Sequence, residues 1–153
     1  MVNRVPLALL PGLLLNESFW KNQIPAVADL AEPCVADFTR QDSIAEMADS
    51  VLSTMPDRFA LCGLSMGGYV ALEIMRRAPE RVLRLALLDT KAAPDQPDVA
   101  TRRRGLIELA QKGAFKGVTP RLLPLLVHPS RLQDEALTSH IMQMAEDVGR
   151  DAF

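Results

Sequence analysis

Ser65 stands between two glycines in the run Gly63-Leu64-Ser65-Met66-Gly67. A serine hydroxyl is a poor nucleophile until a base takes its proton and nearby donors stabilise the oxyanion that its attack creates. The G-x-S-x-G spacing answers the geometric half of that need. It fits a sharp strand-to-helix reversal that holds the serine in a strained conformation, its oxygen exposed above a sheet. Gly63 and Gly67 are small because strand and helix pass very close at such a turn. A helix starting at Met66 directs its free N–H groups and the positive end of its dipole at the serine, so the Met66 N–H is one expected oxyanion donor. The second is expected from the loop after the first strand, Pro11-Gly12-Leu13-Leu14. Gly12 permits close backbone approach there, and the Leu13 N–H is the candidate. Two leucines in a loop are odd unless they also line an apolar pocket, which makes Leu14 a candidate substrate contact.

The partners that would activate Ser65 are harder to find. A histidine must take the proton and an acid must orient the histidine. His128 sits in Leu125-Leu126-Val127-His128-Pro129, at an expected helix end where an imidazole suits the dipole. His140 lies on the face of the last expected helix, beside Ile141. Neither is a convincing base. Asp89 is the strongest acid candidate, at the C-terminal end of the strand after the one that leads into Ser65, the edge where ligands gather in open parallel sheets. The simpler role for its carboxylate is to satisfy loop backbone groups. Asp37 is similarly placed on the far side and is weaker. A glycine-rich turn can also cradle phosphate or serve packing alone, but the sequence has neither G-x-G-x-x-G nor a P-loop lysine. No cofactor and no metal site is expected.

The elements that must position these residues follow from periodicity. Val5–Leu10 is a continuously apolar run that stops at Pro11-Gly12, as a strand covered on both faces would. Asn16 is placed to cap a helix reaching Leu30, bent or split at Pro25 and ended by Pro33, with a second strand over residues 34–38. Ser43 and Glu46 form a capping box ahead of Ile44, Met47, Ala48, Val51, Leu52 and Met55, which fall on one face of a helix. Residues 59–64 read as a third strand, 66–78 as a helix stopped by Pro79, and 83–89 as a fourth strand. Four alternations of strand and helix predict a parallel sheet with helices on both faces. From about Ala92 the character changes. After a linker-like Ala93-Pro94-Asp95-Gln96-Pro97-Asp98, three helices are expected, over residues 99–112, over 120–127, and from a Ser130/Gln133 capping pair onward with no evident stop. The expected division is a core of residues 1–92 and a helical cap of residues 93–153.

A chain of 153 residues, 48% hydrophobic, can bury the core of one ordinary domain. A net charge of −2 gives no electrostatic footprint for nucleic acid. The basic run Arg102-Arg103-Arg104 reads as a solvated helix face. The N-terminal apolar run is too short for a signal segment or a membrane span. Cys34 and Cys62 lie in apolar stretches and read as buried free thiols, which fits a cytoplasmic protein.

With these residues in hand, the chain resembles an α/β-hydrolase of a short bacterial type. The resemblance rests on LALLPGLLLNESFW, VADFTRQDSIAEMA and LCGLSMGGYVALEIMRRAPERVLRLALLDT, with TPRLLPLLVHPSR similar to the family's helical cap. It implies a three-layer parallel sheet with a helical cap, here with about four strands. It also implies hydrolysis of a carboxylic ester, thioester, lactone or small amide through an acyl-enzyme on Ser65. Enol-lactonases, C–C bond hydrolases and iminopeptidases would look alike at these positions, whereas dehalogenases and epoxide hydrolases carry aspartate where Ser65 stands. The family's triad runs serine, acid, histidine, and its last two members are expected in strands and loops that this sequence does not reach. The expectation is therefore the N-terminal part of a longer hydrolase of a small, largely apolar acyl compound. Two further readings are a non-catalytic ligand-binding protein and a chain completed by pairing with another, as a homodimer or with a separate fragment.

Overall fold

Four parallel strands form one sheet in the computed structural model, which describes residues 4–153; the first three residues of the N-terminal run lie outside the described residues. The strands are β1 (Val5–Leu10), β2 (Ala31–Val35), β3 (Phe59–Leu64) and β4 (Val82–Leu88), in the spatial order β2-β1-β3-β4. Register is continuous across the middle: Leu9 is level with Val35 and Cys62, and Cys62 is level with Ala86. The helices between strands are α1 (Gln23–Val27), α2 (Ile44–Thr54) and α3 (Met66–Arg77).

One face of the sheet carries the main core. Ala8 and Leu10 of β1, with Phe59 and Leu61 of β3, meet Met47, Ala48 and Val51 of α2 and Val70, Ala71 and Ile74 of α3. Burying each of the leucine, valine, isoleucine, methionine and phenylalanine side chains among them contributes about 1.5–3 kcal/mol. Ser43 starts α2, its hydroxyl accepting the Glu46 N–H at 3.2 Å. Glu46 returns a bond one residue earlier than a reciprocal box would, accepting the Asp42 N–H at 3.3 Å. The amino-terminal end of the sheet is tied by Arg81. Its guanidinium donates to the carbonyls of Leu52, Met55, Pro56 and Asp57 and lies over the Phe59 ring, joining the α2–β3 turn to the start of β4.

Several sequence expectations shift. The helix expected after Asn16 is a 3-10 turn over Glu17–Trp20 followed by the short α1. Pro33 does not end that helix; it lies inside β2. β2 is an edge strand, where one side has no ladder partner and a residue without an N–H is accommodated. The same position leaves Cys34 exposed, while Cys62 on β3 is half-buried and burial pushes its thiol up. The opposite edge, β4, keeps Leu85, Leu87 and Leu88 about 40% exposed.

Beyond the sheet lie α4 (Pro97–Leu109) and α5 (Glu135–Ala152). Arg102, Arg103 and Arg104 are exposed on α4, where Arg103 pairs with Asp95 at 2.9 Å and lies over the Tyr69 ring. The helix expected over residues 120–127 is reduced to a 3-10 turn, Leu123–Leu125. α5 is capped by Asp134, which accepts the Leu137 N–H at 3.0 Å, and not by Ser130, which sits in a separate turn. Gly149, at φ 80 and ψ 176, breaks the helical backbone near its end, a stop that the sequence pattern did not reveal. No helix among the described residues is long and apolar enough to cross a membrane.

Candidate active site

The carboxyl ends of β1, β3 and β4 lie side by side, and the segment that follows each contains a strained backbone residue. The non-glycine residues with positive φ among those described are Leu14 (62), Ser65 (51) and Asp89 (42), one after each of these strands. Such conformations cost about 1–3 kcal/mol and persist where the surroundings over-determine them. Ser65, with ψ −112, is the link between β3 and α3.

Close packing makes that link sharp. A Cβ on Gly67 would fall inside the Leu10 carbonyl oxygen and lie 2.5 Å from the carbonyl carbon, so the first turn of α3 rests directly on the end of β1. A Cβ on Gly63 would lie 2.8 Å from the Gly67 carbonyl carbon and the Gly68 Cα. Both clashes are with backbone, which cannot move aside as a flexible side chain could.

Met66 is the first residue of α3, so its N–H has no acceptor within the helix. From the other side comes the loop after β1. Gly12 abuts Ser65: a Cβ built on it would lie 3.4 Å from the Ser65 Cβ. The Leu15 N–H closes this turn onto the Gly12 carbonyl at 3.2 Å, leaving Leu13 and Leu14 at its tip. Leu13 is 43% exposed.

A cleft of about 700 Å³ opens beside this junction, lined by Gly12, Leu13, Leu14 and Met66 on one side. Its far wall comes from the end of β2, through Asp37 and Phe38, and from the end of α5, through Asp147 and Val148. The hydrogen bonds of Thr39, hydroxyl first and then backbone N–H (2.9 Å), hold the Asp37 carboxyl below its ordinary range. That far wall was not legible in the sequence, because only the strand order brings β2 next to β1.

The two histidines lie elsewhere. His128 is exposed, its Nδ1 2.9 Å from the Ser130 hydroxyl. His140 on α5 places Nε2 3.3 Å from the Ser18 carbonyl, tying that helix to the turn after β1. Asp89 is exposed at the end of β4. Among the described residues no side chain makes a hydrogen bond to the Ser65 hydroxyl, and no group of three or more His, Cys, Asp or Glu is placed to hold a metal.

The chain superposes with a TM-score of 0.84 on an enol-lactonase from Burkholderia xenovorans, at 21% identity, covering 98% of this chain and 62% of that one. It also superposes on an extracellular alpha/beta-hydrolase from a Paenibacillus species, with a TM-score of 0.61, 16% identity, and coverage of 92% and 65%. The chain has the α/β-hydrolase fold. Within that fold, the sequence is 33% identical over 96 residues to a pimeloyl-[acyl-carrier protein] methyl ester esterase of Aromatoleum aromaticum. That match takes in 58% of this chain and 38% of the relative's length. No protein-family model matches the chain.

Proposed function

We propose that this chain carries the nucleophile and oxyanion half of a serine hydrolase that cleaves a small carboxylic ester, lactone or thioester. The observation that carries the reading is Ser65 itself, a non-glycine residue at φ 51 and ψ −112 between β3 and α3, with Gly12 against its Cβ. In the proposed reaction Ser65 Oγ attacks the acyl carbon while its proton passes to a base. The Met66 and Leu13 N–H groups receive the oxyanion. Collapse of the tetrahedral intermediate breaks the ester bond, the leaving alkoxide takes the proton, and water then repeats the sequence on the acyl-enzyme. Leu14 and Leu13 offer aliphatic surface to the acyl chain, and residues 93–153 act as a cap over the cleft. Neither His128 nor His140, which bond Ser130 and Ser18, serves as that base. The esterase named for the Aromatoleum relative and the lactonase named for the Burkholderia structure both point to ester-bond hydrolysis as the shared chemistry.

A fluorophosphonate probe tests this on the full chain as the gene encodes it. The expected result is one adduct on the peptide containing Ser65, absent in Ser65→Ala. A second reading, a non-catalytic ligand-binding protein, draws on the lack, among the described residues, of any side-chain partner for the Ser65 hydroxyl. An unlabelled Ser65 in well-folded full-length protein would end the first reading.

A further inference from the structure

The backbone of Ser65 is gripped from β4. Its N–H donates to the Leu88 carbonyl at 2.9 Å, and its own carbonyl accepts from the Gly68 N–H at 2.9 Å and from the Thr90 hydroxyl at 2.8 Å. Among the described residues, Thr90 is the one side chain that bonds this peptide, and it comes from 25 residues further along. Its seat against α3 is built for it. A Cβ on Gly68 would lie 2.6 Å from both Thr90 Cβ and Thr90 Cγ2, so a side chain at Gly68 would displace the threonine.

The Ser65 carbonyl and the Met66 N–H belong to one planar peptide unit, and no peptide bond among the described residues is cis. In a trans peptide the C=O and N–H point in opposite directions. Whatever fixes the carbonyl therefore aims the N–H. A donor on the carbonyl oxygen also polarises the amide and strengthens its N–H as a donor. We propose that Thr90 is a positioning residue: its hydroxyl anchors the Ser65 carbonyl at the β4 side and thereby holds the Met66 N–H toward the place where an oxyanion forms. It acts on reactivity through that peptide and touches no substrate. The inference rests on the reading of Ser65 as a nucleophile.

The test measures fluorophosphonate labelling of the full chain as a function of probe concentration, separating probe affinity from the maximal labelling rate. Thr90→Val keeps the shape and removes the hydroxyl. The expected result is a maximal rate lowered roughly three- to tenfold, the range for one net hydrogen bond, with probe affinity and melting temperature close to the parent's. Thr90→Ser restores the rate, and the Met66 amide resonance shifts in the valine variant but not in the serine variant. Gly68→Ala, which pushes Thr90 aside while keeping its hydroxyl, slows labelling as well and carries the test if Thr90→Val does not fold. A parent-like rate in Thr90→Val, or in Gly68→Ala where that variant carries the test, overturns the proposal, as does an equal loss in Thr90→Val and Thr90→Ser. These outcomes leave the nucleophile reading intact. Failure of the parent itself to label removes both.

Discussion

Replacing Ser65 by glycine and, separately, by alanine isolates the strain at the candidate nucleophile. Both variants remove the hydroxyl, so their difference reports backbone conformation and one Cβ. At φ 51 and ψ −112 the side-chain-bearing residue carries about 1–3 kcal/mol of strain, which glycine escapes. Glycine loses about 0.5–1 kcal/mol through the greater freedom of its unfolded chain. Removing the half-buried Cβ costs roughly another 0.4 kcal/mol, half of a fully buried methylene. The balance spans about −0.4 to 2.1 kcal/mol in favour of Ser65→Gly over Ser65→Ala, with a centre near 0.9. For a chain of 153 residues, 1 kcal/mol corresponds to about 2–4 °C in melting temperature. Urea unfolding followed by circular dichroism, with equal m-values required of both variants, measures the difference, and calorimetry checks its sign. If the glycine variant is less stable than the alanine variant by more than about 0.4 kcal/mol, the strain assigned to Ser65 is not there.

Two further outcomes are expected. Arg81→Met keeps contact with Phe59 but strips four carbonyls of their donor, and should lower unfolding free energy by about 2–3 kcal/mol in denaturant titrations. A loss under about 0.5 kcal/mol would mean that water replaces the guanidinium freely. Asp134, held below its ordinary range by Arg131 and then by the Leu137 N–H, has a lower pKa folded than unfolded. Its contribution is in place above about pH 4 and is lost as pH falls through the folded value. The melting temperature of Asp134→Asn should therefore lie below the parent's at pH 6 and converge with it in strong acid; a gap that stays constant with pH contradicts this.

What could be read from the sequence was local. The Ser43 cap acts on an amide three residues away, and the Ser65 turn is written in five consecutive residues, so both were visible as strings. The positions that moved depend on which strand lies beside which. Pro33 reads locally as a helix stop, and it is tolerated inside β2 because that strand is an edge. The far wall of the cleft and the bond from Thr90 join residues that only the sheet order brings together. Thr90 had one local signal, a hydroxyl at the end of the strand beside the turn. Gly149 had another, a lone glycine late in a helix, but the pattern alone did not mark it as a break.

The two ends of the sheet have opposite mechanical characters. At the amino end Arg81 gathers carbonyls from a turn, and at the carboxyl end the segments after three adjacent strands each contain a non-glycine residue of positive φ. A population of variants selected for heat resistance alone would therefore drift in a recognisable direction. Leu14, Ser65 and Asp89 would be exchanged for glycine, while Arg81 and its neighbours would be retained. Selection that also demanded turnover would have to forbid the exchange at Ser65. The difference between the two selections would map the chemistry onto the chain with no substrate in hand.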